Sequence, residues 1–268
     1  MRRPRQSSAI LGIVAFCAAS LPFTPAFAAG PDYVALGDSY SSGTGAGAYD
    51  PASGTCKRSA NAYPRLWVAA NATSSFRFAA CSGATTATVR SGQLGSLAAG
   101  TDLVSITVGG NDAGFAKVME TCVLRSTADC QSAVAAARTT MTSTLPGRLD
   151  GLYTEIRGKA PSARVVVLGY PRLYTIVSGC VGLNNTKRTV LNQAADVLND
   201  VVDKAAGRAG FTFSDVRDEF AGKELCSGQG YLNAVTVPIG DSYHPTAKGH
   251  AQGYLPAFRS ALTRSTVG

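Results

Sequence analysis

Asp32-Tyr33-Val34-Ala35-Leu36-Gly37-Asp38-Ser39-Tyr40-Ser41 is the stretch on which the fold of this chain turns. Tyr33 to Leu36 is a short apolar run of the kind that forms a strand buried on both faces, and Gly37, Asp38 and Ser39 are turn formers that end it. A run of small residues follows (Ser41, Ser42, Gly43, Gly45 and Gly47), leaving room for a ligand near the backbone. Ligands of open α/β sheets gather at the carboxyl ends of the strands. Ser39 therefore stands where a nucleophile would be useful. A turn serine alone is ordinary, so its case depends on partners elsewhere in the chain.

Outward from this stretch, strands and helices alternate. A helix is expected over 60–70 with Pro64 in its first turn, and strands over 76–80, 103–108, 164–168 and 211–216. A long helical region over 132–159 should break or kink at Pro146-Gly147. Val190, Leu191, Ala194, Val197, Leu198, Val201, Val202 and Ala205 recur at helical spacing and predict a helix over 186–208. A last helix should run from about Thr246 to Thr263. The alternation implies an α/β fold, a parallel sheet with helices on both faces.

The N-terminus reads differently. Arg2, Arg3 and Arg5 precede the largely apolar run 9–21, and Ala26-Phe27-Ala28 is a small-residue cleavage pattern, so 1–28 is expected to be a secretory signal peptide. Residues 29–268 are expected to form a single domain, with no segment apolar enough to span a membrane. The chain carries a net charge of +8; without the three leader arginines, 22 basic residues face 17 acidic ones, a net +5. That surplus is scattered, which argues against nucleic-acid binding and leaves transient contact with an anionic lipid surface as an expectation. A monomer is the expected state.

Removing Cys17 leaves Cys56, Cys81, Cys122, Cys130, Cys180 and Cys226, an even set that in an exported chain implies three disulfides. Fifteen pairings are open to six cysteines and the sequence does not choose among them; neighbours in chain order (Cys56–Cys81, Cys122–Cys130, Cys180–Cys226) are the expectation carried forward. With no CxxC spacing and two histidines, neither a metal site nor a cofactor is expected.

Serine attack on an ester needs a proton acceptor near neutral pKa, and imidazole is the usual one. His250 falls inside the last helix. His244 lies in the loop before it, and Asp241, three residues earlier, is close enough to orient the ring and complete a triad. Oxyanion donors could come from the Ser82-Gly83-Ala84 backbone and from Asn111 after Gly109-Gly110, both at strand ends. The G-x-S-x-G elbow of α/β-hydrolases is absent.

These blocks resemble the GDSL, or SGNH, hydrolase family. Gly37-Asp38-Ser39-Tyr40 is similar to its first block, with Tyr40 where many members have leucine. Gly83, Asn111-Asp112 and Asp241-Ser242-Tyr243-His244 match the second, third and last blocks in order. The likeness extends to secreted lipases and esterases of actinomycete type. It implies a three-layer α/β/α, flavodoxin-like fold with a mostly parallel five-stranded sheet. It also implies hydrolysis of carboxylic esters by Ser39 with His244 as base, and an oxyanion hole of Ser39, Gly83 and Asn111. Asp241 or the Ser242 carbonyl would orient the histidine. The expected substrates are acylglycerols, other fatty-acid esters and phospholipids. Two alternatives are a carbohydrate acetyl esterase of the same superfamily and a non-catalytic exported binding protein.

Overall fold

The computed structural model describes residues 30–264, so the expected signal peptide lies outside the described residues. Five strands, β1 (Asp32–Gly37), β2 (Ser75–Phe78), β3 (Leu103–Thr107), β4 (Arg164–Leu168) and β5 (Thr212–Ser214), form one all-parallel sheet in the order β2-β1-β3-β4-β5. β1, β3 and β4 are flanked on both sides, which is why they read as near-continuous apolar runs. Edge strands β2 and β5 pair on one side only and are shorter than the sequence suggested.

The helices are α1 (Ser39–Ser42), α2 (Tyr63–Ala70), α3 (Thr86–Gly92), α4 (Phe115–Leu124), α5 (Thr127–Ser143), α6 (Leu145–Lys159), α7 (Asn185–Arg208), α8 (Arg217–Phe220), α9 (Ala247–Gly249) and α10 (Leu255–Thr263). Strand β2 lies on one side of β1, while β3, β4 and β5 run out on the other. With right-handed crossovers, that reversal sends helices to opposite faces. Helices α2 and α10 pack together on one face, where Tyr33 meets Trp67 and Phe258 at ring-centroid distances of 5.3 and 5.8 Å. Helices α6 and α7 cover the other, with α5 against α7 and α4 against α5. The crevice at the reversal, between the carboxyl ends of β1 and β3, is where such sheets bind ligands.

Several local expectations shift. The break in the long helical region falls at Thr144, because Pro146 sits in the first turn of α6, where its missing N–H has no partner to lose. Helices α3 and α4 were not anticipated; α3 has no apolar stripe and is started by a reciprocal cap between Thr85 and Thr88. A second such cap, Ser126 with Asp129, starts α5 five residues earlier than its apolar pattern begins. The last helix holds a π-helical turn, His250–Tyr254, between α9 and α10. Disulfides join Cys56 to Cys81, Cys122 to Cys130 and Cys180 to Cys226. Among the described residues no helix is long and apolar enough to cross a membrane.

Candidate active site

Gly37 ends β1 at φ 119°, a conformation open to glycine and to few other residues, and the chain turns at once into α1. Asp38 caps that helix by accepting the Tyr40 N–H at 3.0 Å. Its carboxylate also accepts from Thr107 Oγ1 and from the Tyr170 hydroxyl, both at 2.6 Å. Burial pushes the Asp38 carboxyl up to about 6, and these hydrogen bonds moderate the rise. One buried carboxylate thus joins the ends of β1, β3 and β4 beneath Ser39. The sequence reading treated Asp38 as a turn former only; an aspartate before a run of small residues is the capping signal that could have revealed more.

His244 meets Ser39 from the far end of the chain. Its Nε2 lies 2.8 Å from Ser39 Oγ, and its Nδ1 lies 3.0 Å from the Ser242 carbonyl oxygen. A carbonyl can only accept, so Nδ1 carries the proton and Nε2 is the acceptor for the serine hydroxyl. Tyr243 sits between them at φ 65°, the reversal that turns the Ser242 carbonyl back toward the ring. Burial lowers the His244 pKa to about 4, with the Lys57 charge acting in the same direction and Ser242 and Asp241 opposing it. The ring is therefore neutral, and able to take a proton, at neutral pH.

Of the two groups expected to orient the ring, Asp241 and the Ser242 carbonyl, the carbonyl is the one in contact with it. The Asp241 carboxylate accepts from Lys57 Nζ at 2.7 Å and from the Tyr49 hydroxyl at 3.0 Å, while the imidazole N–H is taken by the backbone. Lys57 and Tyr49 belong to the glycine-rich first loop, so Asp241 ties that loop to the histidine loop. The Tyr49 hydroxyl also accepts the Gly45 N–H at 2.8 Å, and Asn233 Nδ2 donates to both Gly45 O and His244 O. Asp241→Asn is accordingly expected to reduce kcat less than about tenfold, whereas an orienting carboxylate would make the loss orders of magnitude. Steady-state rates on one soluble ester decide between them.

Tyr40 also has a structural reason. Its hydroxyl donates to the Tyr243 carbonyl at 2.8 Å, and its ring lies 5.1 Å from that of Tyr170 and 5.2 Å from His244. A leucine at this position would pack but could not make the bond to the histidine loop.

Gly83 and Asn111 complete the cluster. Cys81, bonded to Cys56, clips the 82–84 turn beside the first loop, and Gly83 holds φ 80° there. Asn111 Nδ2 donates to Ala84 O at 3.0 Å and has a second N–H to offer. Asp112 locks the two loops together, accepting from Thr86 N at 2.9 Å and Thr86 Oγ1 at 2.6 Å. Ser39, Gly83, Asn111 and His244 all line a cleft of about 420 Å³. Ser39 and Asn111 also border a small apolar cavity of about 60 Å³ between α4, α5 and α7, walled by Val118, Met141, Leu173, Leu191, Ala194 and Leu198.

The same buried groups set the response to acid. His244 at about 4 and His250 at about 3 stay neutral in the fold, the latter through burial, but charge near 6.5 once unfolded. Asp38 does the reverse, holding a proton below about 6 when folded and below 3.8 when unfolded. Between about pH 6 and 4 the unfolded chain gains two protons that the native chain lacks, against one in the other direction. Stability should therefore fall by roughly 1.4 kcal/mol per pH unit as pH drops through this window. Urea titrations at pH 6 and pH 5 check this; equal or greater stability at pH 5 would contradict it.

Residues 35–252 match the model of the GDSL-like Lipase/Acylhydrolase family. The chain is 57% identical to Lipase 1 of Streptomyces coelicolor over 87% of this chain and 88% of that protein. It is 55% identical to the crystal structure of phospholipase A1 from Streptomyces albidoflavus, with a TM-score of 0.85, covering 87% of this chain and all of that one. The extracellular lipase of Streptomyces rimosus matches at 54% identity and the same TM-score, over 86% of this chain and 99% of that one.

Proposed function

The chain belongs to the GDSL-like lipase/acylhydrolase family and is a carboxylic ester hydrolase, and from this we propose that it is an exported enzyme cleaving fatty-acyl esters of glycerolipids, phospholipids among them, through an acyl-enzyme on Ser39. The observation that carries the proposal is the 2.8 Å approach of His244 Nε2 to Ser39 Oγ in a largely apolar cleft. Ser39 Oγ attacks the ester carbonyl as His244 takes its proton. The Ser242 carbonyl holds the Nδ1–H of the imidazolium that forms. The tetrahedral oxyanion is met by the N–H groups of Ser39 and Gly83 and by Asn111 Nδ2. Ser39 opens α1, where the first N–H groups have no partner within the helix. Collapse expels the alcohol, which takes the proton back from His244. Water, activated by the same ring, then releases the fatty acid.

The apolar walls of the cleft (Phe115, Met119, Val123, Leu124, Val235 and Ile239) speak for a long acyl group over acetate, and the three disulfides and the extracellular relative speak for export after loss of 1–28. A series of aryl esters of increasing chain length tests the substrate class. Each methylene buried is worth about 0.8 kcal/mol, or roughly fourfold, so kcat/KM should climb from acetate until the apolar walls are covered. Activity confined to acetate would assign the chain to the acetyl esterases, and no hydrolysis at all to a binding protein.

A further inference from the structure

Eight large aliphatic side chains stand exposed among the described residues, and all of them fall in three segments around one mouth. Val123 and Leu124 end α4, with Leu124 69% exposed. Ile176, Val177 and Val181 lie in the loop after β4, and Val181 is 94% exposed. Val235, Val237 and Ile239 precede the histidine loop, with Val237 94% exposed and Ile239 72%. Val123, Leu124, Val235 and Ile239 line the cleft that reaches Ser39. Val123 and Val235 also line the neighbouring hollow with Val181, so the three segments are contiguous.

Charge is sparse on the same surface. Neither 173–183 nor 229–240 contains an Asp, Glu, Lys or Arg, and the charges of the rim are confined to the end of α4, where Glu120 and Arg125 are of opposite sign. Two nearby cations point inward: buried Lys187 donates to the carbonyls of Cys122 and Arg125, and buried Arg188 to that of Cys180. Each apolar tip is also pinned. Cys122–Cys130 closes the end of α4, Cys180–Cys226 anchors the second loop, and the third is held by Thr236 N donating to Ser242 Oγ and by the Lys57–Asp241 pair. A contiguous apolar patch of pinned loops loses little conformational freedom when it is covered.

We infer that this rim seats the enzyme on the surface of aggregated, uncharged or zwitterionic lipid and delivers an ester from that surface to Ser39. The inference rests on the ester-hydrolase reading and adds to it the surface and its chemistry. The occupant is lipid because the patch opens into the cleft that must receive the acyl ester. It is a surface without net charge because two of the three segments carry no charge to pair, and Glu120 and Arg125 at the third offset each other. Attachment is then apolar and indifferent to salt, in contrast to the anionic-surface contact that the net positive charge had suggested.

The test uses the full chain with Ser39→Ala, floated with phosphatidylcholine vesicles. Partitioning should change by less than about twofold between roughly 0.05 and 1 M salt, a range over which the Debye length shrinks about fourfold. V181S/V237S on that background should lower the partition coefficient about tenfold, since each valine, only partly buried at a lipid surface, contributes roughly a factor of three. With Ser39 intact, the same pair should hydrolyse a soluble butyrate ester within about twofold of the parent and lose about tenfold on emulsified lipid. The single variants, read alongside, cover misfolding of the pair. Vesicle binding unchanged in all three variants, binding abolished by salt, or a stable dimer dispersed by V181S/V237S would overturn the inference. Absence of soluble-ester turnover in the parent would instead remove the enzymatic reading while flotation still reports on the surface.

Discussion

Ser39→Ala is expected to lower kcat on a soluble aryl ester by at least about 10⁴-fold while leaving the fold intact. Among the described residues the hydroxyl is the one hydrogen-bond partner of His244 Nε2, so its removal leaves the base with nothing to activate but water. The change is also nearly silent structurally. Among the described residues Ser39 Oγ makes no other hydrogen bond, whereas its backbone carbonyl, which stays, accepts from Gly43 and Thr44. Thermal unfolding should therefore match the parent, and a serine-directed organophosphorus probe should label the parent alone. A variant retaining more than about one-hundredth of the parent rate would mean that Ser39 is not the nucleophile.

The second large effect is expected at Asn111. Removing one oxyanion donor typically slows kcat by about 10²- to 10³-fold with little change in KM, because the interaction strengthens only as charge develops on the carbonyl oxygen. Asn111→Ala should show that split. Part of any loss could reflect slackening of the Ala84 loop, which Asn111 Nδ2 holds at 3.0 Å. Thermal unfolding separates the two causes, since a slackened loop lowers stability as well as kcat; Asn111→Asp, which can donate neither to Ala84 O nor to a developing oxyanion, should be at least as damaging as alanine. An aspartate variant near parental kcat, or losses in both variants carried by KM alone, would take Asn111 out of the oxyanion hole.

Much of the architecture was legible without coordinates. Arg164 to Leu168, bounded by Gly169 and Pro171, reads as a strand and is one, and the apolar stripe from Val190 to Ala205 marks α7. Both signals are periodic and local, so nearest-neighbour chemistry suffices. Helices α3 and α4 escaped because their starts lie in caps and glycine turns: Thr85 with Thr88 for one, Gly114 at φ 76° for the other. The apolar residues of α3 are too few to form a stripe, and that of α4 spans only ten residues. Asp38 escaped for another reason. Its three hydrogen-bond partners come from its own turn and from two other strand ends, and no sequence window contains them together.

By itself the amino-acid sequence determined the strand–helix alternation, the small-residue turns at the strand ends and an even cysteine set. It also named Ser39, Gly83, Asn111 and His244 as candidates, since these follow from residue type and short-range spacing. Only the tertiary structure decided which atoms meet. Ser39 and His244 are 205 residues apart, and Asp241, three residues from His244, was the natural guess for its partner. Its carboxylate turns instead to Lys57, 184 residues away, and to Tyr49, while a backbone carbonyl takes the imidazole proton. A side chain's direction is set by the strongest partner that folding brings within reach, and nearness along the chain does not reveal which partner that is.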